Sequence, residues 1–295
     1  MKGRIMAVSF PEKNAVERGT LYLVATPIGN MADLSSRALK ILSEVDFIAA
    51  EDTRNSGLML SRLNISKPMV SYHEHNRRSR GPVITDRLEA GESCALVTDA
   101  GTPAISDPGE DLVRLCAERG IPVTAVPGCC AAVTALSLSG ISTVRFAFEG
   151  FLPASGRERG DRLNELKSEP RTLILYEAPH RLRQTLSDLY DALGNRSAAL
   201  CRELTKLNEE IERLPLGDAV ERYRDKEPRG EYVLVIEGLP VSEEQADYPE
   251  DIAAHVALLE DGGLSRMDAI KAVAKARGVK KNEIYNAISR KEDPQ

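Results

Sequence analysis

The sequence predicts an α/β protein of two α/β domains, the first on a parallel sheet and the second on a mixed sheet, followed by a small helical C-terminal region. Three observations predict it. Short apolar runs alternate with stretches at helical spacing from Thr20 onward. Clusters of glycine, proline and acidic residues follow the apolar runs, which is where ligand loops stand in a parallel sheet. Beyond Gly238 the strand pattern stops and only helical spacing remains.

Length and charge agree with this division. At 295 residues the chain exceeds one average domain, so two units and an appendage are expected. A formal charge of −6 argues against a bulk nucleic-acid coat while leaving room for a local basic patch. No apolar run approaches the length of a membrane span. Residues 1–19 read as a flexible leader, because the apolar stretch in MKGRIMAVSFPEKN is short and has no cleavage-like ending. The cysteines (Cys94, Cys116, Cys129, Cys130 and Cys201) are odd in number and form no CxxC pair. Reduced thiols in a cytoplasmic protein account for them. The four histidines are too scattered for a zinc site.

The first domain, residues 20–127, opens with strand Leu21 to Val24, a turn holding Pro27, Gly29 and Asn30, and a helix burying Ala38, Leu39, Ile41 and Leu42. Strand Phe47 to Ala50 leads into Glu51-Asp52-Thr53-Arg54-Asn55, with a helix from about Ser56 to Leu63. Strand Met69 to Tyr72 runs into His73-Glu74-His75-Asn76, and a further helix follows. The central strand, Cys94 to Val97, feeds Thr98-Asp99-Ala100-Gly101-Thr102-Pro103-Ala104-Ile105-Ser106-Asp107-Pro108-Gly109. Glycine there permits close backbone approach and proline fixes the loop. A helix carrying Leu112, Val113, Leu115 and Cys116 and a strand from Val123 to Val126 complete five strands separated by helices.

The second domain, residues 128–239, starts with small residues, Gly128-Cys129-Cys130-Ala131-Ala132, entering a helix that reaches about Leu138. Then come strand Phe146 to Leu152, a helix around Asp161 to Lys167, strand Thr172 to Tyr176, and a helix with Leu182, Leu186, Leu189 and Tyr190. Strand Ala198 to Leu204, segments Glu209 to Leu214 and Leu216 to Tyr223, and strand Tyr232 to Ile236 follow at short spacing, which suggests antiparallel members. Pro240 to Pro249 reads as an acidic linker. Residues 250–295 hold three helices, Asp251 to Glu260, Ser265 to Ala276 and Lys281 to Ser289. Ser265 and Asp268 resemble a capping box and Gly278 a helix stop. From Leu264 to Lys291 there are eight basic residues against two acidic ones, which fits either a solvated helix pair or RNA contact.

Several loops stand at carboxyl ends of strands and share one rim, with Tyr176 to Arg181 facing them from the second domain. No GxGxxG, no GxxxxGK[ST] and no GxSxG occurs, which argues against pyrophosphate grip and serine hydrolysis. Asp52 and Arg54, two apart, point the same way if their strand continues, and then serve either as a salt bridge or in catalysis. His73 and His75 share a face in an extended segment and suit a base or a phosphate contact. His180 and Arg181 suit an anionic substrate.

Read together, YLVATPIGNMADLSSRAL, AEDTRN, SYHEHN, LVTDAGTPAISDPG, VPGCCAAVTAL, FEGFLP and LYEAPHRL, in that order across Leu21 to Leu182, resemble the tetrapyrrole methylase superfamily. Within it they resemble the branch that methylates the ribose 2′-oxygen of a cytidine in 16S ribosomal RNA. That resemblance implies a tetrapyrrole-methylase-like fold, S-adenosylmethionine held folded between two α/β domains with no metal, a homodimer, and 16S rRNA of the small ribosomal subunit as partner. It implies cofactor contacts from Ile28, Ala100, Gly101, Thr102, Ile105, Cys130, Ala131, Glu177 and Leu204. Thr102 stands where the superfamily has an aspartate and Ile28 where it has a proline, departures that favour the RNA branch over a tetrapyrrole C-methyltransferase. A non-catalytic sensor of the cofactor is the remaining alternative. For chemistry, the expected groups are Asp52, His73 and His75 toward the ribose, and Arg54, His180 and Arg181 toward neighbouring phosphates.

Overall fold

Strands buried on both faces carry almost no polar residue, and the first sheet shows why. In a computed structural model, which describes residues 15–239, 249, 251–277 and 279–292, strands β1 (Leu21–Val24), β2 (Phe47–Ala50), β3 (Met69–Ser71), β4 (Cys94–Val97) and β5 (Val123–Val126) are all parallel. Their order is β3-β2-β4-β1-β5. Leu21, Phe47, Ala49, Cys94 and Leu96 pack with Ile84, Leu88 and Leu112 in one core. Their neighbours Tyr22, Val24, Ile48, Ala50, Ala95 and Val97 pack with Ala38, Ile41 and Leu42 in another. A period of two therefore divides each strand between two apolar layers.

The covering helices are α1 (Ser36–Glu44), α2 (Thr53–Arg62), α3 (Arg77–Glu89) and α4 (Glu110–Glu118). Ser35 caps α1 by accepting from the Ala38 N–H at 3.0 Å, a bond of the kind that stabilises a helix by about 1 kcal/mol. Helix α2 begins at Thr53, earlier than its apolar spacing indicates, because Asp52 is its N-cap.

The second sheet is mixed, as the short connections suggest. It contains β6 (Phe146–Phe151), β7 (Thr172–Glu177), β8 (Ser197–Arg202), β9 (Glu210–Pro215) and β10 (Tyr232–Ile236), in the order β6-β7-β10-β8-β9. Only the β6–β7 pair is parallel. Helix α5 (Ala131–Ser139) covers one face through Ala132, Ala135 and Leu136 against Ile174, Ala199 and Val233. Helices α6 (Gly156–Leu166), α7 (Pro179–Leu193) and α8 (Leu216–Asp225) bury Leu166, Leu186 and Tyr223 with Leu173, Leu200 and Leu234 on the other. Both sheets belong to one compact unit, which ends at Leu239.

A second unit follows, with α9 (Ile252–Asp261), α10 (Arg266–Arg277) and α11 (Lys281–Glu292) around Val256, Ile270, Val273, Ile284 and Ile288. Ser265 accepts from the Asp268 N–H at 3.2 Å, but its hydroxyl donates to the Asp268 carboxylate at 2.7 Å, so only half of a capping box forms. Most of the leader (residues 1–14), the linker apart from Pro249, and Gly278 lie outside the described residues. Among the described residues no helix is long and apolar enough to cross a membrane.

Candidate active site

Adjacent strands β4, β1 and β5 send their loops to one rim, and hydrogen bonds lock these loops together. The Thr26 N–H donates to the Gly101 carbonyl at 2.8 Å and the Gly101 N–H returns to Thr26 at 3.1 Å. The Thr26 hydroxyl donates to the Thr98 carbonyl at 3.1 Å. Thr102 bridges the other way, its hydroxyl donating to the Cys129 carbonyl at 2.9 Å.

The loop after β4 is bent tightly. Ala104 and Ser106 have φ of 69° and 60°, flanked by Gly101 at 88° and Gly109 at 145°. Two non-glycine residues in the left-handed region carry strain of the order of 1–2 kcal/mol each, which the surrounding packing must hold. Gly109 is required for a further reason, since a Cβ there would stand 2.9 Å from Leu96 Cδ2. Across the cleft, a Cβ on Gly150 of β6 would meet Ser106 Oγ at 2.9 Å, so glycine lets the second sheet approach this loop.

The loops and the second sheet enclose a cavity of about 460 Å³, within the usual range for a small-molecule site. Ile28, Ala100, Gly101, Thr102, Ile105, Cys130, Ala131, Glu177 and Leu204 all stand in its wall. The wall also contains Glu51, Asp99, Asp107, Phe151, Tyr176, Glu203, Lys206 and Tyr232, which sequence reasoning did not assign. Asp99 and Asp107 lay inside the conspicuous glycine-proline stretch and were within reach of it. Glu203 and Lys206 carried no signal, because only the return of β10 brings Glu231 beside them. Lys206 Nζ bonds Glu203 at 2.8 Å and Glu231 at 2.9 Å.

The electrostatics favour a cation. Lys206, the one cation in the wall among the described residues, is held between two carboxylates, so a phosphate finds no free partner there. Three carboxylates, Glu51, Asp99 and Asp107, share the wall with the rings of Phe151 and Tyr176. Burial raises Glu51 above the usual carboxylate range. Burial, then the Glu51 charge, pushes Asp107 up to about 7, against the neighbouring Thr98 hydroxyl. Asp99 accepts from the Asn55 amide at 2.9 Å. Carboxylates and ring faces suit a sulfonium or ammonium ligand, and Ile28, Ile105, Leu204 and Val233 offer apolar surface to a base. Cys130 and Cys201 also line the cavity as free thiols, and burial holds Cys201 protonated, up to about 11.

The expected catalytic and phosphate-contacting groups stand elsewhere. Asp52 and Arg54 do pair, through Arg54 Nε to Oδ1 at 3.1 Å and Nη2 to Oδ2 at 2.8 Å, but as a helix cap and first-turn residue rather than along a strand. Hydrogen bonds from Arg54 hold the Asp52 carboxyl at about 2, which makes it a poor base. His73 and His75 lie in a turn rather than an extended segment, because β3 ends at Ser71 and the Asn76 side chain accepts from the His73 N–H at 2.9 Å. Their rings stand edge to face, 6.0 Å apart. His180 is exposed at the start of α7. Arg181 is turned inward: its Nη2 donates to the Leu152 carbonyl at 2.5 Å and its Nε lies 3.5 Å from Glu177. It fastens the turn after β6 to the cavity wall. Outside the cavity, Arg77, Arg78 and Arg114 line a separate surface pocket with Glu110 and Asp111.

A cleft of this kind between a parallel and a mixed five-stranded sheet defines a class. The profile of the tetrapyrrole (corrin/porphyrin) methylases matches residues 20–220. Among solved structures, uroporphyrin-III-C-methyltransferase from Thermus thermophilus superposes with a TM-score of 0.55 at 20% identity, covering 75% of this chain and 94% of that one. Diphthine synthase does so at 0.58 and 13%, covering 74% and 90%. At such identities the likeness concerns the fold. The sequence relatives are far nearer. The ribosomal RNA small subunit methyltransferase I of Escherichia coli O157:H7 is 46% identical over 91% of this chain and 94% of its own length. Those of Synechocystis and Bacillus subtilis are 45% and 43% identical, covering 90% and 92% of this chain and 96% and 94% of their own. The chain belongs to the ribosomal RNA small subunit methyltransferase I family, within the tetrapyrrole methylases.

Proposed function

We propose that the protein transfers the methyl group of S-adenosylmethionine to the ribose 2′-hydroxyl of a cytidine in 16S rRNA of the small ribosomal subunit. The observation that carries this reading is the convergence of Ile28, Ala100, Gly101, Thr102, Ile105, Cys130, Ala131, Glu177 and Leu204 on one cavity whose wall is acidic, aromatic and, among the described residues, without a free cation. Bound there, the donor supplies an electrophilic methyl carbon on a positively charged sulfur, and no metal is required. Ile28, Ile105 and Leu204 offer apolar contact, the loops around Gly101 and Cys130 offer backbone groups, and the carboxylates balance the donor's charge.

The RNA stands outside this cavity, along the rim. Arg54, whose side chain is 87% exposed, and His180 at the start of α7 are assigned to phosphates. Arg77, Arg78 and Arg114 extend that assignment: Arg77 and Arg78 open α3, where a cation opposes the helix dipole, and Arg114 joins them from the middle of α4. Arg181 is assigned to the wall rather than to phosphate, and Asp52 to orienting Arg54. His73 and His75 are assigned to the surroundings of the acceptor nucleotide. In the second unit, Lys271, Lys275, Lys280 and Lys281 gather around Ala274 and Val279, a basic surface we assign to RNA as well. A cytoplasmic homodimer completes the reading, supported by the apolar side chains that one protomer leaves in water, Leu207 and Val144 among them.

Transfer from methyl-labelled S-adenosylmethionine to small ribosomal subunits and to naked 16S rRNA, followed by mapping of the labelled nucleoside, tests the reading. Label on a cytidine 2′-oxygen is expected. Label in a base or a porphyrinogen, or no label at all, would overturn it.

A further inference from the structure

A ribose hydroxyl must lose its proton as it takes a methyl group, and the wall of the donor cavity contains one carboxyl built for that task. Asp107 lies in the loop between β4 and α4, two residues before Gly109 and directly after Ser106, so the left-handed turn at Ser106 and the glycine at 109 fix where it stands. Its surroundings come from both sheets. Glu51, just beyond β2, and Asp99, just beyond β4, face it from the first domain. Tyr176 of β7 faces it from the second sheet, its phenol pushed up to about 12 by burial, then by Cys130 and, least, by the Asp107 charge. Across the cavity, Lys206 is taken by Glu203 and Glu231, and Arg181 by Glu177 and the Leu152 carbonyl, so neither neutralises Asp107. Beside it the buried Thr98 hydroxyl interacts with the carboxyl and favours its charged form, only partly offsetting burial.

The other carboxyls are worse placed. Asp52 is fixed in its cap and in a two-point bond to Arg54. Asp99 is exposed and takes the Asn55 amide. Glu51 accepts from the Asp99 N–H at 3.4 Å and is near His73. Asp107 alone is half-buried in the cavity wall, on a strained loop, with no cation beside it among the described residues.

We propose that Asp107 is the base that accepts the 2′-hydroxyl proton. The step rests on the ribose methyltransferase reading above. As the hydroxyl oxygen bonds the methyl carbon, its O–H bond breaks and the proton passes to an Asp107 oxygen, while the carbon–sulfur electron pair stays on the sulfur of the departing donor. The proton then leaves to water, returning the carboxylate. Glu51 is a positioning residue, keeping the carboxyl basic enough to act near neutral pH.

The test uses the full chain, with Asp107→Asn and Glu51→Gln. Single-turnover methyl transfer to small ribosomal subunits from about pH 5.5 to 9 should rise with pH to a plateau in the wild type, its inflection lying below the donor-free value of about 7 because the bound sulfonium favours the carboxylate. Asp107→Asn should lose roughly 10²–10⁴-fold in rate and lose the inflection, while still binding S-adenosylmethionine in calorimetry within about tenfold of wild type, because Glu51 and Asp99 remain in the wall. Glu51→Gln should move the inflection to lower pH. In the donor-free protein, carboxyl-labelled aspartate should give one carbon resonance titrating near 7 that Asp107→Asn lacks. A transfer rate kept within tenfold in Asp107→Asn, an inflection that survives it, or a donor affinity that collapses while the fold melts normally would overturn the proposal. Absence of RNA methylation by the wild type would instead sink the reading beneath it, and the carbon titration would still test the carboxyl.

Discussion

The Thr102 hydroxyl donates to the Cys129 carbonyl at 2.9 Å and so joins the loop after β4 to the start of α5. This bond crosses from a loop of the first sheet to the entry of the helix that covers the second, between two segments that both line the cavity. Thr102→Val keeps the shape and leaves the Cys129 carbonyl without its donor, a loss of about 1–2 kcal/mol. Donor affinity should fall roughly 5–30-fold, and Thr102→Ser should restore most of it. Calorimetry on both variants checks this, and an affinity within twofold of wild type in Thr102→Val would sink it.

Two arginines secure the turn after β6, whose Phe151 stands in the cavity wall. Arg159, 6% exposed, donates to Asp188 at 2.7 Å, to the Pro153 carbonyl at 2.8 Å and to the Thr185 hydroxyl at 2.9 Å. Thr185 in turn donates to Glu177, which is 2% exposed and also accepts from the Ala178 N–H at 2.8 Å. Taking the cation out of this buried set leaves carboxylates and carbonyls unmatched. Arg159→Ala should cost about 2–3 kcal/mol and lower the melting temperature by roughly 4–12 °C. Arg159→Lys should recover little, since one ammonium cannot reach all three partners. A melting curve unchanged in Arg159→Ala would refute the role.

Much of this was legible in the residues. Ile48 and Ala49 read as a continuous apolar run because each packs into a different core, and that burial on both faces is what a parallel sheet demands. The loops of the cavity were legible by their glycine and proline, as at Gly101 and Pro103, whereas the individual lining residues were named only through the resemblance to the tetrapyrrole methylases. The chemistry was harder. Asp52 stood out for its neighbour Arg54, yet that neighbour is what occupies it. His73 and His75 stood out by residue type, but whether a segment stays extended or turns depends on where the Asn76 side chain bonds. Glu203 and Lys206 meet Glu231 through β8–β10 pairing, a relation across the sheet that no local spacing contains.

Reversing charge on the rim separates RNA binding from donor binding. Arg78→Glu with Arg114→Glu should weaken binding of an rRNA fragment and reduce the slope of log affinity against log salt by about 0.7–0.9 for each phosphate that is no longer neutralised. Replacing Lys271, Lys275, Lys280 and Lys281 by glutamine asks the same of the second unit. Donor affinity should stay unchanged in both, because none of these residues lines the donor cavity. Anisotropy titrations between about 50 and 200 mM salt decide the matter, and an unchanged slope would return either surface to plain solvation.

Asp107 should make the fold less stable at the pH where it is useful. Its folded value is raised to about 7, from an ordinary value of 3.8, so folding favours the protonated form. Stability from this group is therefore full below about pH 4 and declines as pH rises through about 7. Because the side chain is partly in contact with solvent, the loss is discounted to about 1–2 kcal/mol. Asp107→Asn removes the charge without removing the volume, so it should be more stable than wild type by that amount at about pH 8. The difference should close as the pH is lowered toward about 4. Urea unfolding at about pH 4, 6 and 8 measures it, and a variant equally stable at every pH, or weaker at the highest, would show that the carboxylate is not held against its own burial.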